Sequence, residues 1–505
     1  MRKNIVTLLV AMAATVMATA AIVERPKLVV GLVVDQMRWD YLYYYRPMFG
    51  DDGVNRLLDE GYSMEDTKIN YVPTVTAIGH ASVYTGSVPA FHGILGNNFY
   101  VDNREVYCCE DSTVRSVGSD NKAGKMSPHF LQASTIGDEL QLATDFRSRV
   151  VGVALKDRAA ILPAGHAADA AYWYDTKARA FITSSFYMEQ LPKWVEDFNR
   201  QHRNDIDGSP LMKPEGVTLT FQMAEAALRN MELGQRGETD LLAISVSSTD
   251  AIAHEYGLRD SLTQASYMEL DRQVAQFLKL LDRTIGKGQY LLFLTADHGG
   301  AHGYNYLAEH RIPSGVWQSW TDRQKLSDYM ASQYPQAGGR NLVVGENMSR
   351  IYLHHENIRE AGLDFQEVKH TMMEYLRKDE RFQHVIDFEQ AATAPLPQHV
   401  REKICNGYHP DRAGDIYIIP RPQVVITKDL PGFRGTSHGL WNPYDAHIPF
   451  VLFGWNIPHG ATTQPTTIND IAATVCHLLH IEAPNACLGR AVELPLPSTG
   501  NMNNK

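Results

Sequence analysis

Residues 290–300 read YLLFLTADHGG, a short apolar run that ends abruptly in Asp297, His298 and two glycines. Apolar runs of this length, bounded by turn residues, are typical of strands buried on both faces of a parallel sheet. In open α/β sheets, ligands bind just beyond the carboxyl ends of such strands. A carboxylate and an imidazole at that point can hold a metal ion. Taken by itself, an Asp-His pair is more often a turn that contains a hydrogen-bonded histidine.

Two further apolar runs end in the same way. Residues 27–34 (KLVVGLVV) are followed by Asp35, and residues 241–246 (LLAISV) are followed within four residues by Asp250, with His254 one helical turn later. Three buried strands that each bring an aspartate to one edge of a sheet place like charges close together. This arrangement is unfavourable unless cations neutralise it. The sequence therefore predicts a metal site at this edge.

A third block, residues 70–86 (NYVPTVTAIGHASVYTG), predicts a helix that begins near Thr74 or Thr76 and runs to Gly86. Small residues along this helix allow close packing on the sheet. Free backbone N–H groups at a helix N-terminus bind anions and favour an alkoxide. A threonine hydroxyl there is a candidate nucleophile, and its alternative role is an ordinary helix cap.

Two more positions carry candidate anion ligands. Asn97 lies in a glycine-containing loop, although Gly-Asn is also common turn chemistry. Residues 149–155 (RVVGVAL) predict another buried strand, followed by Lys156 and Arg158. Strand alternation would send both cationic side chains to the same side, where they suit a multiply charged anion.

The elements predict one α/β domain at residues 21–492 with a mostly parallel sheet, followed by a tail at 493–505. Long amphipathic helices at 217–231 and 262–281 alternate with the strands, as in right-handed βαβ units. The segments at about 161–216 and 301–412 break this rhythm, and we interpret both as insertions that cap the site. The chain contains no internal repeat.

The first 20 residues are typical of a secretory signal peptide. Arg2 and Lys3 precede an apolar stretch, and Ala18-Thr19-Ala20 fits a cleavage site. We therefore expect an exported, periplasmic protein that leaves the membrane after cleavage; an uncleaved anchor is the alternative.

The full chain has a formal charge of −11, and loss of Arg2 and Lys3 leaves 45 basic against 58 acidic residues, or −13. This charge argues against nucleic acid as a partner. Five cysteines predict buried thiols or one or two disulfides.

The sequence resembles the alkaline phosphatase superfamily in a set of spaced features. These are Asp35, the threonine block, Asp250-x3-His254, Asp297-His298 and the late His438-Gly439. Within this superfamily, the chain is similar to the threonine-nucleophile, phosphate-irrepressible alkaline phosphatases of the PafA type. The features that carry this likeness are VVDQMRWDYL, the threonine block, Asn97 and Lys156-x-Arg158. The likeness covers nearly the whole mature chain. It implies a three-layer sandwich with a mostly parallel central sheet and a phosphomonoesterase that acts through a phosphothreonine intermediate.

The resemblance also implies two Zn²⁺ ions and a role for each site residue. Asp250, His254 and His438 would hold one ion, and Asp35, Asp297, His298 and the nucleophile Thr76 would hold the other. Asn97, Lys156 and Arg158 would bind the phosphate oxygens. Two positions have competitors, since His447 competes with His438 and Thr74 with Thr76.

Three other functions are weighed against this one. A nucleotide pyrophosphatase/phosphodiesterase shares the metal ligands and the threonine, but its pattern does not require Lys156 and Arg158. A sulfatase is disfavoured because the Cys/Ser-x-Pro-x-Arg motif is absent from the sequence. A zinc- or phosphate-binding protein without turnover is disfavoured because a nucleophile candidate accompanies the metal ligands.

Overall fold

The structure, a computed structural model, describes residues 24–495. The predicted signal peptide and residues 496–505 lie outside the described part. The strands are β1 (Leu28–Val34), β2 (Tyr62–Met64), β3 (Thr67–Lys68), β4 (Asn98–Val101), β5 (Arg104–Tyr107), β6 (Ser116–Val117), β7 (Val150–Ala154), β8 (Ala170–Asp175), β9 (Ala180–Ser184), β10 (Asp240–Val246), β11 (Tyr290–Thr295), β12 (Gly315–Trp317), β13 (Val343–Asn347), β14 (Arg350–Leu353), β15 (Phe382–Asp387), β16 (Ile416–Pro420), β17 (Val424–Ile426), β18 (His447–Ile448), β19 (Phe450–Gly454), β20 (Gly460–Thr462) and β21 (Thr466–Thr467).

The helices of eight or more residues are α1 (Thr76–Thr85), α2 (Ile136–Ala143), α3 (Asp157–Ala164), α4 (Lys193–His202), α5 (Glu215–Asn230), α6 (Ser248–Tyr256), α7 (Ser261–Leu281), α8 (Ser319–Gln333), α9 (Phe365–Leu376), α10 (Gln398–Asn406) and α11 (Asp470–Leu479). Shorter helices lie at Tyr41–Tyr44, Val54–Glu60, Pro89–His92, Tyr304–Glu309, His355–Glu360 and Pro443–Ala446.

A large mixed sheet forms the centre of the molecule, with the order β20-β2-β19-β11-β1-β10-β7-β8-β9-β6. The neighbours β11, β1, β10, β7 and β8 all run parallel, whereas β19, β9 and β6 pair in antiparallel fashion. Every residue of β1, β7, β10 and β11 is buried, which explains why the sequences of these strands are almost continuously apolar. The predicted mostly parallel α/β fold is confirmed.

Two groups of helices cover the sheet. Helices α1, α2, α3 and α11 contact one another in one group, and α4, α5, α6 and α7 form the other. Gly79 lets α1 approach the sheet closely, because a Cβ at this position would lie 2.3 Å from the carbonyl oxygen of Asp297. The close approach places the first turn of α1 beside the carboxyl ends of the central strands.

The two predicted insertions differ in structure. In the first, β8 and β9 form the expected antiparallel pair, but β8 also pairs with β7, so this segment extends the central sheet. In the second, β13, β14 and β15 form a separate sheet with β16, which lies just beyond the predicted end at about residue 412, and this sheet has its own apolar cluster. Within residues 24–495, no helix combines the length and apolar character that a membrane crossing requires.

The buried guanidinium of Arg350 joins the second insertion to the main domain. It donates to the carbonyl oxygens of Leu95 at 2.5 Å, Gly407 at 3.1 Å and Val72 at 3.4 Å. Leu95 and Val72 belong to the segments that precede Asn97 and Thr76. The insertion is therefore fastened directly to the walls of the predicted site.

Candidate metal centre and active site

The parallel strands deliver the predicted acidic residues to one edge of the sheet. Asp35 directly follows β1, and its N–H donates to the carbonyl of Val246 at the end of β10. Asp297 follows β11. Asp250 lies in the first turn of α6, which begins two residues after β10, and His254 follows on the same face of that helix.

Two of the three buried carboxylates contact one ammonium group. Lys156 Nζ donates to Asp35 Oδ2 at 2.5 Å and to Asp250 Oδ2 at 2.6 Å. Burial and the neighbouring Asp250 and Asp297 carboxylates raise the pKa of Asp35 well above its usual value. The sequence predicted Lys156 as a phosphate ligand; in this structure its ammonium forms ion pairs with two of the carboxylates expected to bind metal.

Three histidines point their free ring nitrogens into the same space. Each donates through Nδ1 to a backbone carbonyl: His254 to Thr436 at 3.0 Å, His298 to Gly299 at 2.8 Å and His438 to Thr74 at 2.7 Å. Because a carbonyl oxygen can only accept, these bonds leave each Nε2 available as a ligand. His254 Nε2 lies 3.1 Å from His438 Nε2, and burial together with the His298 and His254 rings holds the pKa of His438 well below its usual value.

The donor set fits a metal ion by its chemistry. Among the described residues, the ligand atoms of Asp250, His254 and His438 form one compact group, and those of Asp35, Asp250 and His298 form another. Asp35 Oδ1, Asp297 Oδ2 and His298 Nε2 are buried without a hydrogen-bond partner. Buried polar atoms without partners are rare in folded proteins, so these three identify places where a cation can bind.

Thr76 occupies the first position of α1, beside this cluster. The sequence left Thr74 and Thr76 open as helix caps, but the cap residue is Val75, which makes no side-chain hydrogen bond. The Thr74 hydroxyl donates to the carbonyl of Leu440 at 2.9 Å and is therefore committed elsewhere. In the described part of the chain, the Thr76 hydroxyl has no hydrogen-bond partner. Asn97 Oδ1 accepts from the N–H of Ala77 at 3.1 Å, which leaves its Nδ2 free for a ligand.

Comparison with known proteins identifies the family. The type I phosphodiesterase / nucleotide pyrophosphatase family matches residues 29–441. The chain is 39% identical to alkaline phosphatase PhoV of Synechococcus elongatus, covering 93% of each protein. It is 37% identical to alkaline phosphatase PafA of Elizabethkingia meningoseptica, over 93% of this chain and 94% of PafA. A relative from Myroides odoratus, named a calcium-transporting ATPase, is 42% identical over 93% of this chain and 94% of that protein.

The chain belongs to the alkaline phosphatase superfamily. The crystal structure of PafA superposes with a TM-score of 0.88 and covers 93% of this chain and 99% of that one, at 37% identity. The resemblance to the PafA type is thus confirmed, and the chain is an alkaline phosphatase. A second PafA structure carries substitutions of a threonine, an asparagine, a lysine and an arginine. The threonine–asparagine and lysine–arginine separations there equal those of Thr76–Asn97 and Lys156–Arg158 here.

In this alkaline phosphatase, Arg158 lies in the first turn of α3, and Lys156 is the N-cap of that helix rather than a continuation of the strand. Arg158 Nη1 donates to the Tyr107 hydroxyl at 3.0 Å, and that hydroxyl donates to Asp157. The Nε of Arg158 is buried without a partner. Among the described residues, the guanidinium thus keeps a free N–H for an anion.

His447 does not join the metal ligands. Its Nε2 donates to the carbonyl of Glu65 at 2.9 Å, and its ring stacks on Trp39 with centroids 4.5 Å apart. The geometry favours His438 over His447, and it favours Thr76 over Thr74 for the reason given above.

Sequence reasoning missed two residues of the site. His80 is fully buried, with Nδ1 2.8 Å from the Thr76 carbonyl and Nε2 2.7 Å from the Ser245 hydroxyl, and its Nδ1 lies 3.3 Å from Asp297 Oδ2. Its position four residues after Thr76 was the available signal. Tyr107, which orients Arg158, offered none, because a tyrosine in a short strand has no distinguishing pattern.

All five cysteines are unpaired.

Proposed function

We propose that this alkaline phosphatase hydrolyses phosphate monoesters with Thr76 as nucleophile, through a phosphothreonine intermediate, and with two Zn²⁺ ions per chain. The observation that carries the proposal is the setting of Thr76. Its hydroxyl, which has no hydrogen-bond partner among the described residues, stands at a helix N-terminus. This end of the helix lies against the predicted metal ligands, because the Thr74 carbonyl accepts from His438 Nδ1 at 2.7 Å and His80, on the same helix, has its Nδ1 3.3 Å from Asp297 Oδ2. Helix N-termini favour anions, and phosphate is such a ligand.

Imidazole and carboxylate ligands suit zinc. We assign Asp250, His254 and His438 to one ion and Asp35, Asp297, His298 and Thr76 to the other. When bound, the ions would lower the pKa of the threonine hydroxyl and stabilise the departing ester oxygen.

The proposed reaction has two displacements at phosphorus. The Thr76 hydroxyl gives its proton to solvent and its oxygen attacks in line, so that a P–O bond to threonine forms and the P–O bond to the alcohol breaks. The departing oxygen keeps the electron pair of that bond and takes up a proton from solvent. A water molecule then attacks phosphorus, the threonine–phosphorus bond breaks, and inorganic phosphate leaves while Thr76 regains its proton. Asn97, Lys156 and Arg158 would bind the non-reacting phosphate oxygens, where negative charge must be stabilised.

The cationic groups also favour the substrate class. A phosphate monoester carries two negative charges and three non-bridging oxygens, which match two cations and an amide. A diester carries one charge and a second substituent, which would meet Lys156 and Arg158. The matched family contains nucleotide pyrophosphatases, so a diester-cleaving enzyme of the same superfamily remains the second candidate.

The remaining expectations concern location and partners. The predicted signal peptide supports export to the periplasm, with small phosphate esters as substrates. The net charge of the mature chain disfavours nucleic acid.

The test is the ratio of kcat/KM for p-nitrophenyl phosphate to that for bis-p-nitrophenyl phosphate on zinc-reconstituted protein. A strong monoester preference that Thr76→Ala abolishes would support the proposal. Thr74→Val is the matched control, because it removes a neighbouring hydroxyl that is already hydrogen-bonded to the carbonyl of Leu440. This variant should retain most activity. A diester preference would favour the second candidate. ATP is a useful third substrate, since one relative is named an ATPase.

A zinc- or phosphate-binding protein without turnover would behave differently in a single-turnover experiment. Rapid acid quenching of the protein with ³²P-labelled monoester should leave label on Thr76. Zinc binding without any label or product would refute the catalytic proposal.

A further inference from the structure

Gln36 has a backbone conformation that glutamine rarely adopts. It directly follows Asp35, and its φ is +63°, in the left-handed region. Non-glycine residues there are uncommon and cost free energy, and they persist where the surrounding structure enforces them. Gln36 is also fully buried, and its Oε1 has no hydrogen-bond partner among the described residues. A glycine at this position would avoid both unfavourable features.

Gln36 makes hydrogen bonds to two carboxylates of the metal cluster and directly follows the third in the chain. Its amide Nε2 donates to Asp250 Oδ1 at 2.7 Å. Its backbone N–H donates to Asp297 Oδ1 at 3.1 Å. Through its own peptide bond it is joined to Asp35. One residue therefore connects Asp35, Asp250 and Asp297.

The chain leaves room for this side chain. A Cβ on Gly300 would lie 3.0 Å from Gln36 Cδ, so glycine at position 300 accommodates the glutamine. The amide is neutral, so it fixes the Asp250 carboxylate without competing with a bound cation, unlike the ammonium of Lys156.

We infer that Gln36 is a positioning residue that orients the Asp250 carboxylate for metal binding. The inference rests on the proposed zinc function, because it assigns a role relative to those ligands. The side-chain bond reaches Asp250 alone, and the contact with Asp297 is made by the backbone. The assignment proposed above gives Asp250 to the ion held with His254 and His438, although its carboxylate also lies within reach of the Asp35 and His298 ligand atoms. On that assignment, loss of the side chain should weaken this ion and spare the other.

Gln36→Met tests this role, because methionine has a similar volume and no amide donor. Removing a hydrogen bond to a metal ligand typically lowers metal affinity about 10–100-fold. Titration of metal-free protein with Zn²⁺, in competition with a chromophoric chelator, should show one of two equivalents weakened by that factor and the other unchanged.

Two further variants complete the experiment. Gln36→Gly removes the amide and also relieves the left-handed backbone, so it should show the same weakened equivalent in a protein that folds. Gln423→Met is the matched control, because Gln423 also has a positive φ, +64°, and in the described structure it contacts no ligand residue. Its zinc affinity should equal that of the wild type.

The outcomes separate this inference from the proposed function. Two wild-type equivalents with unchanged affinity in both Gln36 variants would refute the positioning role. Loss of both equivalents in both variants would also refute it, since the effect would not be specific to Asp250. A wild-type protein that binds no zinc would refute the metal site itself.

Discussion

The position of Lys156 leads to a prediction about the metal-free protein. Its ammonium lies 2.5 Å from Asp35 Oδ2 and 2.6 Å from Asp250 Oδ2, and its side chain is 9% exposed. Removing one partner of a buried ion pair leaves an uncompensated charge and costs about 3–5 kcal/mol. Lys156→Met should lower the free energy of unfolding of the metal-free protein by this amount.

The loss should depend on pH in a defined direction. Burial and the neighbouring carboxylates already raise the pKa of Asp35, and Lys156 opposes that rise, so the variant should raise it further. A carboxyl whose pKa is raised in the folded state is protonated there at low pH, and its destabilising charge develops as pH rises. The variant should therefore be closer to wild type near pH 5 than near pH 8.

Urea unfolding followed by tryptophan fluorescence would measure the unfolding free energies of wild type and Lys156→Met, with EDTA-treated and zinc-saturated protein at both pH values. Bound zinc should reduce the difference in unfolding free energy between wild type and Lys156→Met by more than half, because divalent cations then neutralise the carboxylates. Lys369→Met is the matched control, since Lys369 is buried and its ammonium lies 2.7 Å from Asp387 Oδ2, outside the metal cluster. Zinc should not restore its stability. Equal stability of wild type and Lys156→Met without metal, or a gap that zinc leaves unchanged, would contradict the reasoning.

Three further predictions concern other residues. Arg158→Ala should lower kcat/KM for a phosphate monoester by more than ~10-fold and affect a diester much less, and equal losses on both would refute the proposed role. Tyr107→Phe removes the hydroxyl that orients Arg158 and should lower monoester kcat/KM about 10-fold while far-UV circular dichroism stays unchanged; wild-type kinetics would count against it. Burial raises the pKa of Asp445 to about 8, partly offset by the N–H of Leu440. The contribution of Asp445 to stability should therefore fall as pH rises from about 4 to about 8. The thermal midpoint of Asp445→Asn, measured relative to that of the wild type, should rise over this window and stay level above it, whereas a constant difference would refute the reasoning.

Much of the fold was predictable because the central strands are buried on both faces. The run at 290–295 coincides with β11, and the helix predicted at 262–281 begins one residue earlier, at Ser261. The aspartates were predictable for the same reason, since each follows an apolar run whose end is visible in the sequence. Periodicity therefore located the ligand-bearing ends of the strands.

What could not be predicted depends on contacts between distant parts of the chain. Lys156 meets Asp35 across 121 residues, and Arg158 meets Tyr107 across 51. No local pattern encodes either pairing. The cap of α1 was also missed, because Val75 has no side-chain donor or acceptor and its place depends only on backbone conformation.

The three carbonyls held by Arg350 limit how this enzyme can be engineered. The second insertion is an obvious region to exchange between relatives in order to change substrate range. A chimera that lacks this arginine would leave the carbonyls of Val72 and Leu95, both outside the insertion, without their donor, at about 1–3 kcal/mol for each buried unsatisfied group. These two residues precede Thr76 and Asn97 by only a few positions. Libraries for altered specificity should therefore vary the exposed parts of the insertion and keep Arg350 fixed.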